Sequence, residues 1–185
     1  MARAIVIMGV SGSGKTSVAK MLSEALHCSF LEADDFHSQS NKVKMARGIP
    51  LCDEDRLPWL EALRDGIRQK FTGGGGETVV LACSALQKRY REILRAADPG
   101  YREGEYGNCM VKFVCLVADA ETLAERMKSR CVEGGGDHFM PVCLLQSQLD
   151  LLQIFECEGI PQIDSAMNLE LVLKQILNLI EDLWG

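Results

Sequence analysis

The sequence predicts an α/β fold in which a mostly parallel sheet is covered by helices on both faces. Apolar runs of strand length alternate with longer segments in which apolar residues recur at helical spacing, and this alternation is typical of parallel sheets. The chain has 185 residues, of which 47% are hydrophobic, so it can bury one sizeable core. We therefore expect residues 1–185 to form a single domain.

The predicted strands are short and almost wholly apolar. They cover residues 4–8, 29–31, 78–83, 110–117 and 160–164. A glycine-rich turn separates the first strand from a helix whose Val18, Leu22 and Leu26 share one face. Asp119 and Asn168 precede two further helical segments, and their side chains are suited to cap them.

Other helix boundaries follow from proline, serine and charge. Residues 41–48 are basic and should form one or two helical turns. Pro58 fits the first turn of a long helix, and Pro141 should open another. Ser84 can cap the helix that follows the third strand.

Composition excludes several classes of function. The net charge of −6 and the pI near 5.1 argue against a nucleic-acid partner, which requires a basic face. The eight cysteines contain no C-x-x-C pair, which argues against a zinc or redox site and favours reduced thiols in the cytoplasm. No apolar run approaches the roughly 18 residues of a membrane span.

A phosphate-binding loop follows the first strand. The stretch GVSGSGKT, residues 9–16, matches G-x-x-x-x-G-K-[ST] between a predicted strand and a predicted helix. Its amides can surround the phosphates of ATP, Lys15 can reach the β and γ phosphates, and Thr16 can offer a hydroxyl to Mg²⁺. The predicted nucleotide-binding residues are Gly9, Val10, Ser11, Gly12, Ser13, Gly14, Lys15, Thr16 and Ser17.

The context of this loop favours a kinase of a small molecule. Regulatory GTPases also need an N-K-x-D element, and the single N-K here, at Asn41, lacks the aspartate and comes too early. Motor and transport ATPases usually need a longer chain. A small doubly wound domain of this kind binds its acceptor near the carboxyl ends of the parallel strands.

Acidic residues crowd the end of the second predicted strand, which we expect to lie beside the phosphate-loop strand. Asp34 is the first candidate for the group that orients the acceptor hydroxyl and takes its proton. Glu32 or Asp35 would serve the Mg²⁺ ion, and His37 would bond a substrate hydroxyl. The alternative for each residue is a helix cap or a solvated turn.

Several cations could hold an acidic acceptor. Lys42, Lys44, Arg47 and Arg56 surround the stretch GIPLCDEDR, and Arg56 is the preferred candidate for binding a substrate carboxylate. Most of these four residues are expected to be ordinary surface residues.

A second basic group precedes a glycine-rich stretch that could close as a lid. Arg126 and Arg130 lie one turn apart on a predicted helix and could reach the γ phosphate during its transfer, so both are candidate catalytic residues with Lys15 and Asp34. The alternative is a basic helix face paired with nearby glutamates. His138 could contact the substrate from the lid or pack beside Phe139.

Five segments together resemble the gluconokinase family of small ATP-dependent kinases. They are GVSGSGKTSV, ADDFH, KMARGIPLCDEDRLPWL, ACSALQKRYREILR and HFMPVCLLQSQL, in the order and approximate spacing of that family. Ser84, Lys88 and Arg91 in the fourth segment are further candidate substrate contacts. The chain departs from the family where DLLQIFECEGIP replaces the usual T-L-E-x-P, which makes the adenine-binding loop harder to locate.

The resemblance implies a P-loop kinase fold like that of shikimate kinase, with a central five-stranded parallel sheet. It implies a mobile lid near residues 126–145 and a substrate-binding segment near residues 34–60. The implied reaction is transfer of the γ phosphate of ATP to the 6-hydroxyl of D-gluconate in the pentose phosphate pathway, by an enzyme that is commonly a homodimer. The open alternatives are a kinase of another small acid or sugar and a nucleotide-binding module without catalysis.

Overall fold

A computed structural model of the chain describes residues 2–73, 76–133 and 144–184. Its centre is a five-stranded sheet in the order β2-β3-β1-β4-β5, and every neighbouring pair is parallel. The strands are β1 (Ala4–Met8), β2 (Ser29–Glu32), β3 (Val79–Ala82), β4 (Val111–Val117) and β5 (Gln162–Asp164). All five predicted strands are therefore present, each within two residues of its predicted ends.

Helices connect the strands. They are α1 (Lys15–Ala25), α2 (Gln39–Ala46), α3 (Asp53–Thr72), α4 (Lys88–Arg95), α5 (Ala120–Glu133), α6 (Leu145–Leu151) and α7 (Leu169–Trp184). Short 3₁₀ turns cover Ala33–Phe36 and Glu156–Glu158. Among the described helices, none is both long and apolar enough to cross a membrane.

The core lies on both faces of the sheet, as predicted. Side chains alternate along β1, so Val6 faces one apolar cluster and Ile7 faces the other. The first cluster contains residues of α3 and α4, and the second contains residues of α1 and α7. Because helices cover both faces, β1 and β3 are buried along their whole length and read as continuous apolar runs.

The position of β2 differs from the prediction. We expected β2 to lie beside the phosphate-loop strand, but β3 lies between β2 and β1. The β3 strand is apolar on both sides and takes the central place, whereas β2 is half-buried and forms the edge. The parallel register still aligns the strand ends, because Ala82 of β3 pairs with both Glu32 and Ile7.

Two of the predicted helix caps are confirmed. The Thr122 amide donates to Asp119 Oδ1 over 2.7 Å, and the Glu170 amide donates to Asn168 Oδ1 over 2.8 Å. The predicted cap at Ser84 is wrong, because α4 begins only at Lys88.

The predicted start of the long helix at Pro58 is also wrong. Helix α3 begins at Asp53, where a capping box joins Cys52 and Asp55, so Pro58 lies inside the helix. Pro141, predicted to open a helix, lies outside the described residues.

A buried ion cluster joins α4 to the chain before β5. Arg91 and Glu158 are fully buried, and Arg95 is nearly so. Glu158 Oε1 accepts from Arg91 Nε over 3.0 Å and from Arg95 Nη1 over 2.7 Å. Burial by itself raises the pKa of Glu158, but the hydrogen bonds and charges of the two arginines outweigh it, so that the pKa is lowered.

We predict that Glu158→Gln destabilises the fold strongly. The change leaves two buried guanidinium groups without their shared carboxylate, which should cost roughly 3 kcal/mol of unfolding free energy. Urea denaturation at pH 7 measures the loss. The control is Glu156→Gln, since Glu156 is exposed two residues earlier. Equal effects of the two changes would contradict the prediction.

Candidate functional site

The phosphate loop between β1 and α1 requires glycine at two positions. Gly9 and Gly12 have φ angles of +141° and +82°. A Cβ at Gly9 would lie 2.5 Å from the Leu116 carbonyl oxygen, and one at Gly12 would lie 2.8 Å from the Leu123 carbonyl oxygen. The loop therefore passes against the backbone at the end of β4 and the start of α5, where any side chain would force it away.

Two polar groups in this loop face inward. Lys15 Nζ donates to the Val10 carbonyl oxygen over 3.0 Å, so the ammonium group folds back across its own loop. Ser13 Oγ is buried and has no hydrogen-bond partner within the described residues. A buried hydroxyl without a partner is costly, and an entering phosphate oxygen would supply one. The loop thus fits the ATP phosphates.

Thr16 and Glu32 meet at the carboxyl edge of the sheet. Burial, the largest influence, and the charge of Asp34 raise the pKa of Glu32, whereas a hydrogen bond to Thr16 and the nearby charge of Lys15 lower it. The net result is a raised pKa. A hydroxyl beside a carboxylate is the oxygen chemistry that suits Mg²⁺, which commonly uses few protein ligands and completes its shell with water and phosphate.

Asp35 does not join this pair. It lies exposed in the 3₁₀ turn, and its side chain forms no hydrogen bond or ion pair with other described residues. No group of three or more His, Cys, Asp or Glu residues suited to a metal is found in the described part of the chain. The geometry therefore favours Glu32 over Asp35 as the carboxylate on the metal side.

The acidic turn, which is the 3₁₀ turn Ala33–Phe36, is fixed to α3 by two contacts of Trp59. Trp59 Nε1 donates to the Ala33 carbonyl oxygen over 2.7 Å, and the His37 ring stacks on Trp59 with centroids 4.2 Å apart. Asn41 Nδ2 lies 3.4 Å from His37 Nδ1 and donates to the Asp55 carbonyl oxygen over 2.9 Å. Since that bond orients the amide, His37 Nδ1 accepts and its Nε2 carries the proton.

His37 is neutral at physiological pH. The pKa of His37 is lowered to about 4, chiefly by burial; the Asp34 carboxylate opposes this shift, and the charges of Lys42 and Arg56 add to it. Asp34 itself is exposed in the turn and acts electrostatically on both Glu32 and His37. The turn therefore presents a carboxylate beside a neutral imidazole.

Arg56 lies among aromatic and acidic partners from α3 and α4. Its Nη1 donates to Tyr90 Oη over 3.4 Å, and its guanidinium lies 5.7 Å from the centroid of the Tyr90 ring. Tyr90 Oη in turn donates to Asp53 Oδ1 over 2.7 Å, while Arg89 Nη1 lies 2.6 Å from Asp53 Oδ2. Arg56 forms no ion pair closer than 4 Å with a described carboxylate.

Lys44 and Arg47 differ from Arg56. Lys44 Nζ contacts both carboxylate oxygens of Asp55, at 2.6 and 2.8 Å, and this hydrogen bond is the main reason why the pKa of Asp55 is lowered to about 2. Lys44 therefore joins α2 to the capping box of α3, which leaves it less suited to bind the substrate. Arg47 is exposed at the end of α2.

The structure places the side chain of Arg91, a predicted substrate contact, inside the protein. Its side chain is fully buried, and all five N–H groups are used. Three donate to the carbonyl oxygens of Ala85, Leu86 and Gln153, and two donate to Glu158. Arg91 thus holds the loop after β3 in place and has no donor left for a ligand.

Lys88 and Ser84 both lie close to the loop after β3, but their contacts point to different parts of the protein. Lys88 Nζ lies 3.0 Å from Glu92 and 2.9 Å from Glu103, so its charge is paired toward the 98–108 loop. That pairing speaks against the predicted substrate contact. Ser84 follows β3, and its carbonyl oxygen accepts from the Gly9 amide over 3.4 Å, which places it beside the phosphate loop.

Arg126 is hydrogen-bonded to the chain that follows β5. Its Nη2 donates to the Ser165 carbonyl oxygen over 2.7 Å, and Nη1 lies 3.4 Å from Ser165 Oγ. These bonds join α5 to the loop after β5. Arg130 lies in α5, but its side chain falls outside the described part of the chain, as does all of His138. Of the predicted lid, residues 126–133 are helical and residues 134–143 lie outside the description.

Known kinases match this chain over most of its length. A family model described as an AAA domain matches residues 5–135. Gluconokinase of Arabidopsis thaliana is 52% identical over 178 residues, which are 96% of this chain and 92% of that protein. The chain belongs to the gluconokinase family. The crystal structure of a gluconokinase from Sinorhizobium meliloti 1021, 38% identical, covers 98% of this chain and 95% of its own with a TM-score of 0.78.

A more distant neighbour shares the fold alone. Shikimate kinase from Aquifex aeolicus vf5 is 17% identical with a TM-score of 0.56, over 98% of this chain and 99% of that one. Membership of the gluconokinase family confirms the resemblance seen in the sequence and makes the chain a kinase. It also confirms the predicted α/β P-loop fold.

Sequence reasoning missed several residues that support the gluconokinase site. Trp59, Tyr90 and Asp53 orient the acidic turn and Arg56, and all three lie inside the family-specific segments. A fourth missed residue, Asp55, could have been found from the sequence, because its three-residue spacing from Cys52 is that of a capping box. The contacts of Trp59, Tyr90 and Asp53 depend on which helices pack against each other, and no single sequence segment reveals that packing.

We predict that His37 makes stability fall with acid. Because its pKa is lowered to about 4 in the folded chain, against 6.5 unfolded, the unfolded chain binds a proton first. The contribution of neutral His37 to the free energy of unfolding is therefore intact above pH 6.5 and is lost as the pH falls toward 4. Urea denaturation at pH 7, 6 and 5 should show a shallower pH dependence for His37→Gln than for the natural chain. Parallel pH dependences would contradict this.

Proposed function

We propose that the protein transfers the γ-phosphoryl group of ATP to the 6-hydroxyl of D-gluconate, giving 6-phosphogluconate and ADP, with Mg²⁺ as the metal. The observation that carries the proposal is the meeting of Lys15, Glu32 and Asp34 near the carboxyl ends of β1, β2 and β3. All three act electrostatically on Cys83, which directly follows β3. The names of the gluconokinase relatives give the acceptor.

The proposed division of labour separates phosphate from acceptor. Bound Mg²⁺ supplies charge stabilisation for the phosphates, and Thr16 and Glu32 would hold its inner or water shell. Lys15, whose ammonium group donates to the Val10 carbonyl oxygen, would use its other N–H donors to contact the phosphates. The catalytic work of the chain is then mainly positioning and electrostatic stabilisation.

The acceptor would bind between the acidic turn and Arg56. Asp34 would accept the proton of the attacking hydroxyl, and His37 would donate from Nε2 to another hydroxyl. Arg56 would bind the carboxylate through a two-pronged contact, with Arg47 and Ser84 as secondary candidates. These roles agree with a substrate-binding segment over residues 34–60 inside a single domain.

Roles for Arg126 and Arg130 at the transferring phosphoryl group remain part of the proposal. Arg126 would have to exchange its bonds with Ser165 for a phosphate contact. We further propose a cytoplasmic homodimer, in line with the reduced, scattered cysteines and with the family resemblance.

A substrate panel tests the proposal directly. A coupled ADP-release assay with gluconate, shikimate, ribose and glycerate should give turnover with gluconate and little with the others. Turnover of another acceptor without turnover of gluconate would favour the alternative of a different small-molecule kinase. If none of the acceptors in the panel gives product, the alternative of a nucleotide-binding module without catalysis is favoured.

We predict that Asp34→Asn lowers kcat by about 100-fold or more, within the range for lost general-base catalysis. The affinity for the nucleotide should change less than about twofold, because Asp34 lies on the acceptor side. Steady-state kinetics and calorimetric titration measure the two effects. Asp65→Asn, on the exposed face of α3, is the control. Normal kcat in Asp34→Asn would remove this residue from the site.

Replacing Arg56 by Lys should mainly raise the KM for gluconate, by about tenfold. The exchange keeps the charge but replaces a planar two-pronged donor with a point charge, and it also loses the contact with Tyr90. Initial rates at varied gluconate and ATP separate the two KM values. Should the KM for ATP rise instead, Arg56 belongs to the nucleotide side. Arg64→Lys, an arginine of the same helix paired with Asp65, serves as control.

A further inference from the structure

Gln148 of α6 contacts the phosphate loop in a way that the proposed function does not explain. Its Oε1 accepts from the Ser11 amide over 2.7 Å, across 137 positions of the sequence. The Gln148 side chain belongs to a residue that is only 6% exposed. A short, partly buried bond between distant segments restrains both of them, because breaking it would cost the Ser11 amide this partner.

The same peptide unit of the loop is also held at its other end. The Val10 carbonyl and the Ser11 N–H belong to one planar peptide group, whose two polar atoms point in opposite directions. Lys15 Nζ donates to that carbonyl over 3.0 Å. Gln148 therefore fixes the direction of the carbonyl that receives the ammonium group of Lys15.

Apolar packing supports the same arrangement. The Val10 side chain is 3% exposed and lies in a cluster with Leu145 of α6 and with Leu123 and Met127 of α5. Helix α6 thus contacts the peptide through an apolar side chain at one point and through an amide at another. A peptide anchored in this way cannot rotate without disturbing α6.

We propose that Gln148 is a positioning residue for the nucleotide: through the 10–11 peptide it holds the phosphate loop and the resting position of Lys15. The idea rests on the proposed function for its substrate, ATP, but it does not depend on the identity of the acceptor. A loop and a lysine that are already oriented lose less freedom when the phosphates bind.

The test is a double-mutant cycle. Gln148→Met keeps the length of the side chain and its apolar contacts and removes the acceptor oxygen. It should weaken the binding of AMPPNP with MgCl₂ about 5- to 10-fold, as expected for the loss of one hydrogen bond, with the KM for gluconate unchanged. In a Lys15→Met background the same change should weaken binding less than twofold, because the two residues act through one peptide.

The affinity is read as the shift in melting temperature over a titration up to millimolar AMPPNP, with calorimetry where binding is tight enough. Should Lys15→Met bind too weakly, Lys15→Arg serves as the second background. Gln146→Ala is the matched control, since Gln146 is exposed on α6 and, among the described residues, its side chain bonds only Asp150 of the same helix.

Two outcomes would overturn the proposal. Unchanged AMPPNP binding in Gln148→Met would show that the bond does not position the nucleotide. An equal loss in both backgrounds would show that Gln148 does not act through Lys15. If the natural chain binds AMPPNP but does not phosphorylate gluconate, the proposed acceptor fails while the cycle on Gln148 can still be interpreted.

Discussion

The site depends on the parallel register of the three strands β2, β3 and β1. Ala82 of β3 pairs with Glu32 on one side and with Ile7 on the other, so the acidic turn and the phosphate loop leave the sheet at the same level. A strand slip of one residue would also exchange the two faces of β1, and both faces are packed against helices. The apolar core on each face therefore fixes how far Glu32 lies from Thr16. The chemistry at the edge follows from packing in the middle of the sheet.

A chain with a net charge of −6 must select which cations remain available for an anionic substrate. Lys44, Lys88 and Arg91 are paired with carboxylates inside the protein, where each one fixes a loop or a helix end. Arg56 instead contacts the hydroxyl and ring of Tyr90. A guanidinium held by an aromatic partner keeps its charge available, whereas one held by a carboxylate does not. Ion pairing with a carboxylate thus distinguishes the cations that hold the structure together from Arg56, the candidate for binding the substrate.

The sequence predicted the elements well and their neighbours less well. Strands were recognisable because burial on both faces produces unbroken apolar runs, and the caps at Asp119 and Asn168 were local signals. The place of β2 at the edge was missed, because strand order depends on how whole connections pack. The burial of Arg91 could not be read from the sequence for a similar reason: a basic residue on a helix looks the same in sequence whether it faces solvent or a buried Glu158. The phosphate loop was predictable because its chemistry is confined to eight consecutive residues.

The crowding of acids after β2 is tolerated because each carboxylate has a different environment. Glu32 is half-buried, and the hydrogen bond from Thr16 and the charge of Lys15 offset part of the cost of that burial. Asp34 and Asp35 lie in water, where repulsion between neighbouring charges is weak. His37 adds no charge, because stacking on Trp59 keeps its imidazole buried and neutral. The edge can therefore hold three carboxylates next to a loop built for phosphate, since Glu32, the least exposed of them, is hydrogen-bonded to Thr16 and lies within the electrostatic influence of Lys15.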